Sequence, residues 1–500
     1  MSLKKLAGQT VWYGVSNIAA RLLTYLLTPY FTYILTGYNG QVVYGKYRYI
    51  YALFPIMNVL YTYGMETAFF RFSSSEDRKK LYNTQITAML VSTFVFTILL
   101  YLFRTPLASF AEIPEHVDYI GWCAVIIALD ALSALPYARL RKENRPRKYA
   151  FTKVIGIVVF VINIVFLFSF GGKVAANNPG GTFAKWYQHN NGVGFILFAN
   201  MLQAAVTLLL LFSELKDYRP VFDLVIFKKV FRYGYPILIA GFAGVINDSL
   251  NRVMFQKLYP ATKTESLRQL GFYSAALSLA VLINLVIQAF KLAAEPFFFS
   301  ISEHENAKKT YARVMKWFII ILALMFLNVM LYLDIWKHFI GKEYQQAIGI
   351  VPLLLLSYIF LGVYYNLTVW YKLIDKTHYG TYIMVIGALV TIIFNWLLIP
   401  VWGYYACAWG TVLCYGIMMC LSYYWGQKYY PIPYDVPRLL KYFGLMLLLF
   451  FVNYGIDKIV SGTLPHILIG TVLFVIYLSY IYKTEKEELK GFPVVGKWVR

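Results

Sequence analysis

Ten ionisable side chains lie inside long apolar stretches of this 500-residue sequence, and these residues are best placed to do chemistry. Arg21, Lys46, Arg48, Lys153, Arg252 and Lys291 are basic; Glu66, Asp130, Asp248 and Glu295 are acidic. A charge at mid-membrane costs about 2.5–3.5 kcal/mol, so it must face a bundle interior or an aqueous cavity. Asp248 and Arg252, in "GVINDSLNRVMF", stand four residues apart, as do Lys291 and Glu295. That spacing puts both members of each pair on one helix face. Each pair reads either as a fixed clamp between helices or as a gate. Arg21, Lys46 and Arg48 have no acidic neighbour in sequence. Lys46 and Arg48 are close enough to the end of their stretch to snorkel outward, whereas Arg21 is deeper. Unpaired cations there suit an anionic ligand, especially a phosphate or diphosphate held by an Arg fork. The expected substrate-binding set is therefore Arg21, Arg48, Arg252 and Lys291, in a cationic cavity. Glu66, Asp248 and Glu295 are the expected gating or ion-coupling residues.

Other chemistries find no support. The sequence has no Gly-rich phosphate loop followed by Lys and Ser or Thr. The six histidines are scattered at the ends of apolar stretches or between them, with no metal-ligand spacing and no nucleophile triad. Cys123, Cys407, Cys414 and Cys420 all lie in apolar runs without Cys-x-x-Cys spacing, as packing residues do. The expectation is a non-enzyme without cofactor or metal.

The elements that must position the charges are membrane helices. Of all residues 59% are apolar and only 14% charged, against about 25% charged in soluble domains. Fourteen runs, near 8–36, 43–69, 82–103, 117–138, 149–170, 192–213, 226–253, 270–297, 311–333, 344–370, 378–399, 403–426, 438–456 and 464–482, are of spanning length. The first run continues past signal-peptide length and reads as an uncleaved span. With the N-terminus inside, 31 of the 46 Lys and Arg fall in or beside the inner segments, 9 fall outside and six lie deeper in spans. That asymmetry puts both termini in the cytoplasm. It accounts for most of the net charge of +22 without any nucleic acid. The most basic loop, "ARLRKENRPRKYA" (138–150), is a topology determinant or a landing site for anionic headgroups. The longest outer loop, "GGKVAANNPGGTFAKWYQHNN" (171–191), reads as a flexible exposed turn.

The chain also repeats itself. Gly45 and Tyr47 of "YGKYRYIYAL" match Gly271 and Tyr273 of "LGFYSAALSL" at an offset of 226 residues. Glu66 matches Glu295 at an offset of 229, and Asn163 matches Asn395 at 232. This order predicts an N-terminal lobe (1–220, spans one to six), a C-terminal lobe (221–430, spans seven to twelve) and an extra pair of spans with a cytoplasmic tail (431–500). Parallel repeats of this kind are related by an axis along the membrane normal, with substrate sites where they meet. The fold class is all-α and polytopic.

One stretch, "YKLIDKTHYGTYIMVIGALVTIIFNWLLIPVWGYYACAWGTVLCYG" (371–416), resembles bacterial polysaccharide flippases of the multidrug/oligosaccharidyl-lipid/polysaccharide (MOP) superfamily. Lys376-Thr377, Asn395 before "LLIP", Gly403 and the small residues up to Thr411 carry the likeness, and "ARLRKENRPRKYAFTKV" is similar to the family's basic loop between spans four and five. Ala406, Cys407 and Ala408 depart from the usual glycine-alanine run. The resemblance implies alternating-access translocation of a polyprenyl-diphosphate-linked oligosaccharide across the bacterial inner membrane, for capsule, exopolysaccharide or O-antigen. Its implied partners are that lipid-linked substrate, membrane lipids, a coupling ion and polymerase machinery. A flippase for lipid-linked peptidoglycan precursors is the nearest alternative. A cation-exporting drug antiporter follows, although six basic to four acidic buried charges tilt against it. A membrane polymerase would need a catalytic outer loop bearing acids, and the outer loops here are too short and poor in such residues.

Overall fold

The computed structural model describes residue 19 and residues 21–73, 75–190, 192–460 and 462–490, with side chains except at 292, 293, 295 and 296. The uncleaved start of the first span lies outside the described residues. Where they are described, residues form helices and turns and no strand. A chain in lipid must satisfy its own backbone groups, which helices do segment by segment.

In chain order the long helices are α1 (21–34), α2 (Gly37–Thr62), α3 (Arg78–Leu102), α4 (Asp118–Lys142), α5 (Pro146–Val165), α6 (Gly192–Leu211) and α7 (Leu224–Leu258). They continue as α8 (Lys263–Ser300), α9 (Ala307–Leu331), α10 (Val351–Leu367), α11 (His378–Trp402), α12 (Tyr404–Tyr429), α13 (Val436–Ile456) and α14 (Thr463–Lys490). Among the described residues eleven helices, α3–α6 and α8–α14, are long and apolar enough to cross a membrane. The other two fully described helices, α2 with 26 residues and α7 with 35, stand at expected span positions and are more polar. Tyrosines and charges account for that in α2, and charges at both ends in α7. Helix α7 runs unbroken through Pro236.

One expectation is corrected. The outer segment 171–191 is not a flexible turn: it contains helices Gly171–Asn177 and Thr182–His189. Its aromatic residues give the reason. Tyr187 stacks on Phe195 of α6 with centroids 4.6 Å apart, and Trp186 packs against Phe198. Rings at this density anchor a segment that its glycines and asparagines alone would leave loose.

Two large apolar cores run through the molecule, one built from α2, α3, α4, α6 and the start of α7, the other from α7–α14 with α1, α2, α5 and α6. Helix α2 lies along both α7 and α8, and joins them. In α8 and α9, 67% of the most apolar window is buried, against 22% in α13 and α14. The last two helices are therefore peripheral and turn Leu448, Phe451 and Val472 outward. A buried charge cluster fastens them. Glu485 of α14, fully buried, meets Lys316 of α9 at 2.6 Å and Arg438 of α13 at 2.7 Å.

At the crossing of α2 and α8 the backbones nearly touch. A Cβ on Gly45 would lie 1.8 Å from the Leu267 carbonyl oxygen, and one on Gly271 would lie 3.1 Å from that of Gln41. Only glycine permits this approach. The two glycines matched in the sequence repeat thus lie against each other.

Candidate functional site

The Gly45 crossing belongs to a broader seal at one membrane face. Glu343 accepts hydrogen bonds from the Gly37 amide at 2.7 Å and from Gln41 Nε2 at 2.8 Å, while Arg268 Nε donates to Gln41 Oε1 at 2.7 Å. Tyr344 donates to the Leu35 carbonyl at 2.5 Å, and Lys257 pairs with Glu112 at 2.6 Å. These contacts tie α1, α2 and the 103–117 connection to the α7–α8 turn and the segment before α10. Lys46 does not project into the interior; it pairs with Glu115 in the same connection at 2.5 Å. Burial opposes ionisation of Glu115, but the hydrogen bond from Lys46, a backbone hydrogen bond and the nearby positive charge together outweigh it and hold the carboxyl below its usual range.

Beneath the seal the expected cations gather in two groups. Arg48 donates to the Tyr44 hydroxyl at 2.6 Å, to Ser278 Oγ of α8 at 3.2 Å and to Thr28 Oγ1 of α1 at 3.3 Å. Arg252 of α7 lies within electrostatic reach of the same Tyr47 as Arg48. The second group surrounds Tyr365 of α10. Lys291 sits 4.4 Å from its ring centroid, and both Asp248 and Arg21 lie within reach of its hydroxyl. Arg21, Arg48, Arg252, Lys291 and Asp248, from four helices, therefore converge. Asp248 and Arg252 do not pair in this conformation; Arg252 donates to Ser249 Oγ at 3.2 Å instead. The Glu295 side chain lies outside the described residues.

Glu66 goes elsewhere. It pairs with Arg141 at the rim of a cavity of about 480 Å³ enclosed by α1, α2, α4, α5 and α6. Arg21, Asp130 and Lys153 also line it. Asp130 and Lys153 feel each other's charge but form no ion pair among the described residues. Lys153 rests 4.5 Å from the Tyr137 ring centroid, and the Tyr137 hydroxyl and Arg141 Nε are buried without hydrogen-bond partners among the described residues.

The opposite half holds a polar cluster of another kind. Asn251 of α7 donates to Thr411 of α12 at 2.8 Å and accepts from Asn395 of α11 at 2.5 Å. Asn247 donates to the Met384 carbonyl at 3.2 Å. These residues are buried and uncharged, and they stitch α7 to α11 and α12.

Sequence reasoning missed three features because long-range folding creates them. Arg141 stands 75 residues from Glu66. The basic loop is no bare landing patch either: Glu214 at the end of α6, almost fully buried, pairs with Arg145 at 2.7 Å and Lys148 at 2.5 Å. The expectation that no histidines assemble with metal-ligand geometry needs correction at one point. Donor atoms of His116, Asp118 and His189 lie within 4.8 Å of one another.

The bundle of long apolar helices, with charges kept in its interior, defines a multi-pass membrane protein with a transporter fold. A family model described as polysaccharide biosynthesis protein matches residues 6–302, and the chain belongs to that family, within the MOP superfamily. Sequence comparison with curated proteins gives no match. Among solved structures, the chain is similar to the lipid II flippase MurJ in an inward closed conformation, with a TM-score of 0.71, 15% identity, and coverage of 95% of this chain and 99% of that one. An inward-facing multidrug resistance MATE transporter gives 0.58 at 12% identity, covering 84% and 94%. MATE in complex with MaD3S gives 0.60 at 12% identity, covering 85% and 95%. These likenesses concern the fold. Family and fold point to a transporter rather than a catalyst.

Proposed function

We propose that the chain is a flippase that moves a polyprenyl-diphosphate-linked oligosaccharide across the bacterial inner membrane by alternating access, for capsule, exopolysaccharide or O-antigen assembly. One observation carries this reading. Arg21, Arg48, Arg252 and Lys291 converge beneath a seal that ties the two halves together at one face. Arginines brought together from α1, α2 and α7 beside hydroxyl groups suit a diphosphate, while the lipid tail stays in the bilayer. The 31-to-9 basic asymmetry supports cytoplasmic termini, which puts the seal on the outer face and makes this the cytoplasm-facing state. The facing Gly45 and Gly271 support two parallel lobes, 1–220 and 221–430, and the peripheral α13 and α14 suit the extra segment 431–500. A coupling ion and polymerase machinery are the partners proposed beside substrate and lipid.

Export assays test the reading. Arg48→Ala and Arg252→Ala together abolish surface polysaccharide at unchanged membrane abundance of the protein; full export by the double variant refutes it. Reporter fusions after Arg500 and within 171–191 report opposite compartments. The likeness to MurJ favours one second reading, a flippase for lipid-linked peptidoglycan precursors. Survival of cells that depend on this chain as their sole peptidoglycan-precursor flippase selects that reading.

A further inference from the structure

We infer that the cavity within the N-terminal half is a sugar subsite, which takes the reducing-end sugar of the substrate while its diphosphate lies at Arg21, Arg48 and Arg252; the inference rests on the flippase reading above. The cavity volume of about 480 Å³ falls in the range of about 300–1,000 Å³ usual for small-molecule sites. Its walls mix carboxylate, ammonium, amide, hydroxyl and phenol groups: Asp130, Lys153, Asn58, Gln203, Thr207 and Tyr137 all face it. A diphosphate needs donors and positive charge; Glu66 on the wall is taken up by Arg141, and Asp130 beside Lys153, without an ion pair among the described residues, works against a second anion. A pyranose needs both donors and acceptors, because each hydroxyl gives one hydrogen bond and accepts others. Asp130 supplies an acceptor and Lys153 a donor, deep in the cavity and unpaired with each other. Leaving such groups permanently without partners is costly.

The position fits the chemistry of the substrate. Arg21 lines the cavity and also lies within reach of Tyr365, beside Asp248 and Lys291. It therefore borders both compartments, as a group contacting the diphosphate next to the first sugar must. The Glu66–Arg141 pair stands at the rim, where both side chains are partly exposed (41% and 32%). Tyr137 and Tyr149 meet edge to face at 5.1 Å and present ring surface beside the polar groups.

Binding measurements on the full chain in lipid nanodiscs decide the matter. The probes are geranylgeranyl diphosphate and the same molecule carrying one sugar from a panel of N-acetylglucosamine, N-acetylgalactosamine, glucose and galactose. At least one sugar-bearing probe binds the wild type tighter than the bare diphosphate, on the order of tenfold. Asp130→Asn and Gln203→Leu each bring that ratio towards one, and Thr207→Val does the same if either of the others fails to fold. A wild-type ratio near one for the whole panel overturns the subsite, as does a ratio that folded variants leave intact. Loss of sodium or proton dependence in Asp130→Asn, with the sugar ratio unmoved, makes the cavity an ion site and also overturns it. Failure of both probe types to bind the wild type removes the flippase reading itself, and the subsite with it. Binding of the bare probe alone removes only the subsite.

Discussion

The two halves of the molecule treat polar groups inside apolar helices in opposite ways. In the C-terminal half, Asn247, Asn251, Asn395 and Thr411 fill the space between α7, α11 and α12 and mostly bond to one another. In the N-terminal half, Arg21, Asp130 and Lys153 line an open cavity among α1, α4 and α5. Neutral groups bonded from helix to helix act as a clamp, since each bond lost there exposes a buried partner, even though Asn247 Oδ1 and Asn395 Oδ1 accept no hydrogen bond among the described residues. Charged groups kept apart around a void leave their capacity for something that comes and goes. One half thus spends its buried polar groups on joining helices, and the other keeps them around the space proposed above for a sugar.

The first way to break this contrast is to cut the clamp. Asn251→Ala orphans the buried Asn395 Nδ2 and takes one of two hydrogen bonds from Thr411 Oγ1, which still donates to the Cys407 carbonyl at 2.8 Å. Each buried group so orphaned costs about 1–3 kcal/mol, so among these single substitutions this one brings the largest loss of thermal stability in detergent. The equivalent insult in the cavity, Gln203→Ala, removes no hydrogen bond within the described residues and leaves the melting temperature close to wild type. Equal losses in both variants remove the distinction between filled and hollow halves.

Packing also differs from place to place within the C-terminal half itself. A Cβ on Gly387 of α11 would lie 2.7 Å from Met418 Sδ and 3.1 Å from Asn247 Nδ2, whereas one on Gly244 of α7 meets nothing within 4 Å. Gly387→Ala is therefore destabilised by about 1–3 kcal/mol through overpacking. Gly244→Ala is stabilised by about 0.5–1 kcal/mol, because a helical glycine gives up backbone entropy that alanine does not. Thermal melts of the two variants read both signs, and matching shifts of one sign contradict the packing difference.

Much of this architecture was legible in the sequence. Span positions follow from apolar run length, because lipid leaves a helix no other means to satisfy its backbone. Arg21, Arg48 and Arg252 stood out in the sequence too, since burying an unpaired cation is expensive enough to mark each one. The hollow half was not. Whether Asp130 faces lipid, a neighbour or a void depends on how five helices tilt together, and no local pattern records that. The same holds for Glu66 with Arg141, and for His116 with His189, 73 residues away in sequence. Segment 171–191 misled for another reason: its glycines and asparagines signal a turn, while Trp186 and Tyr187 find a surface that exists only in the folded protein.

The smallest expected change in stability belongs to Asp248→Asn, and it is the most informative about movement. Asp248 is exposed within the bundle and makes no ion pair among the described residues, although Arg252 stands one turn away on the same helix. Replacing an unpaired, solvent-reached carboxylate by its amide costs little in this conformation, within about 0.5 kcal/mol. If the outward-facing state pairs the two residues, the same change weakens that state alone and shifts the balance towards the conformation seen here. Export then falls while the melting temperature holds, and a cysteine at Ser278, below the seal, labels less readily from outside. Exchanging the residues, Asp248→Arg with Arg252→Asp, restores the pair and the labelling but reverses the field that an anionic headgroup meets, so export stays impaired. Wild-type export and labelling in Asp248→Asn would mean that the two side chains never meet during the cycle.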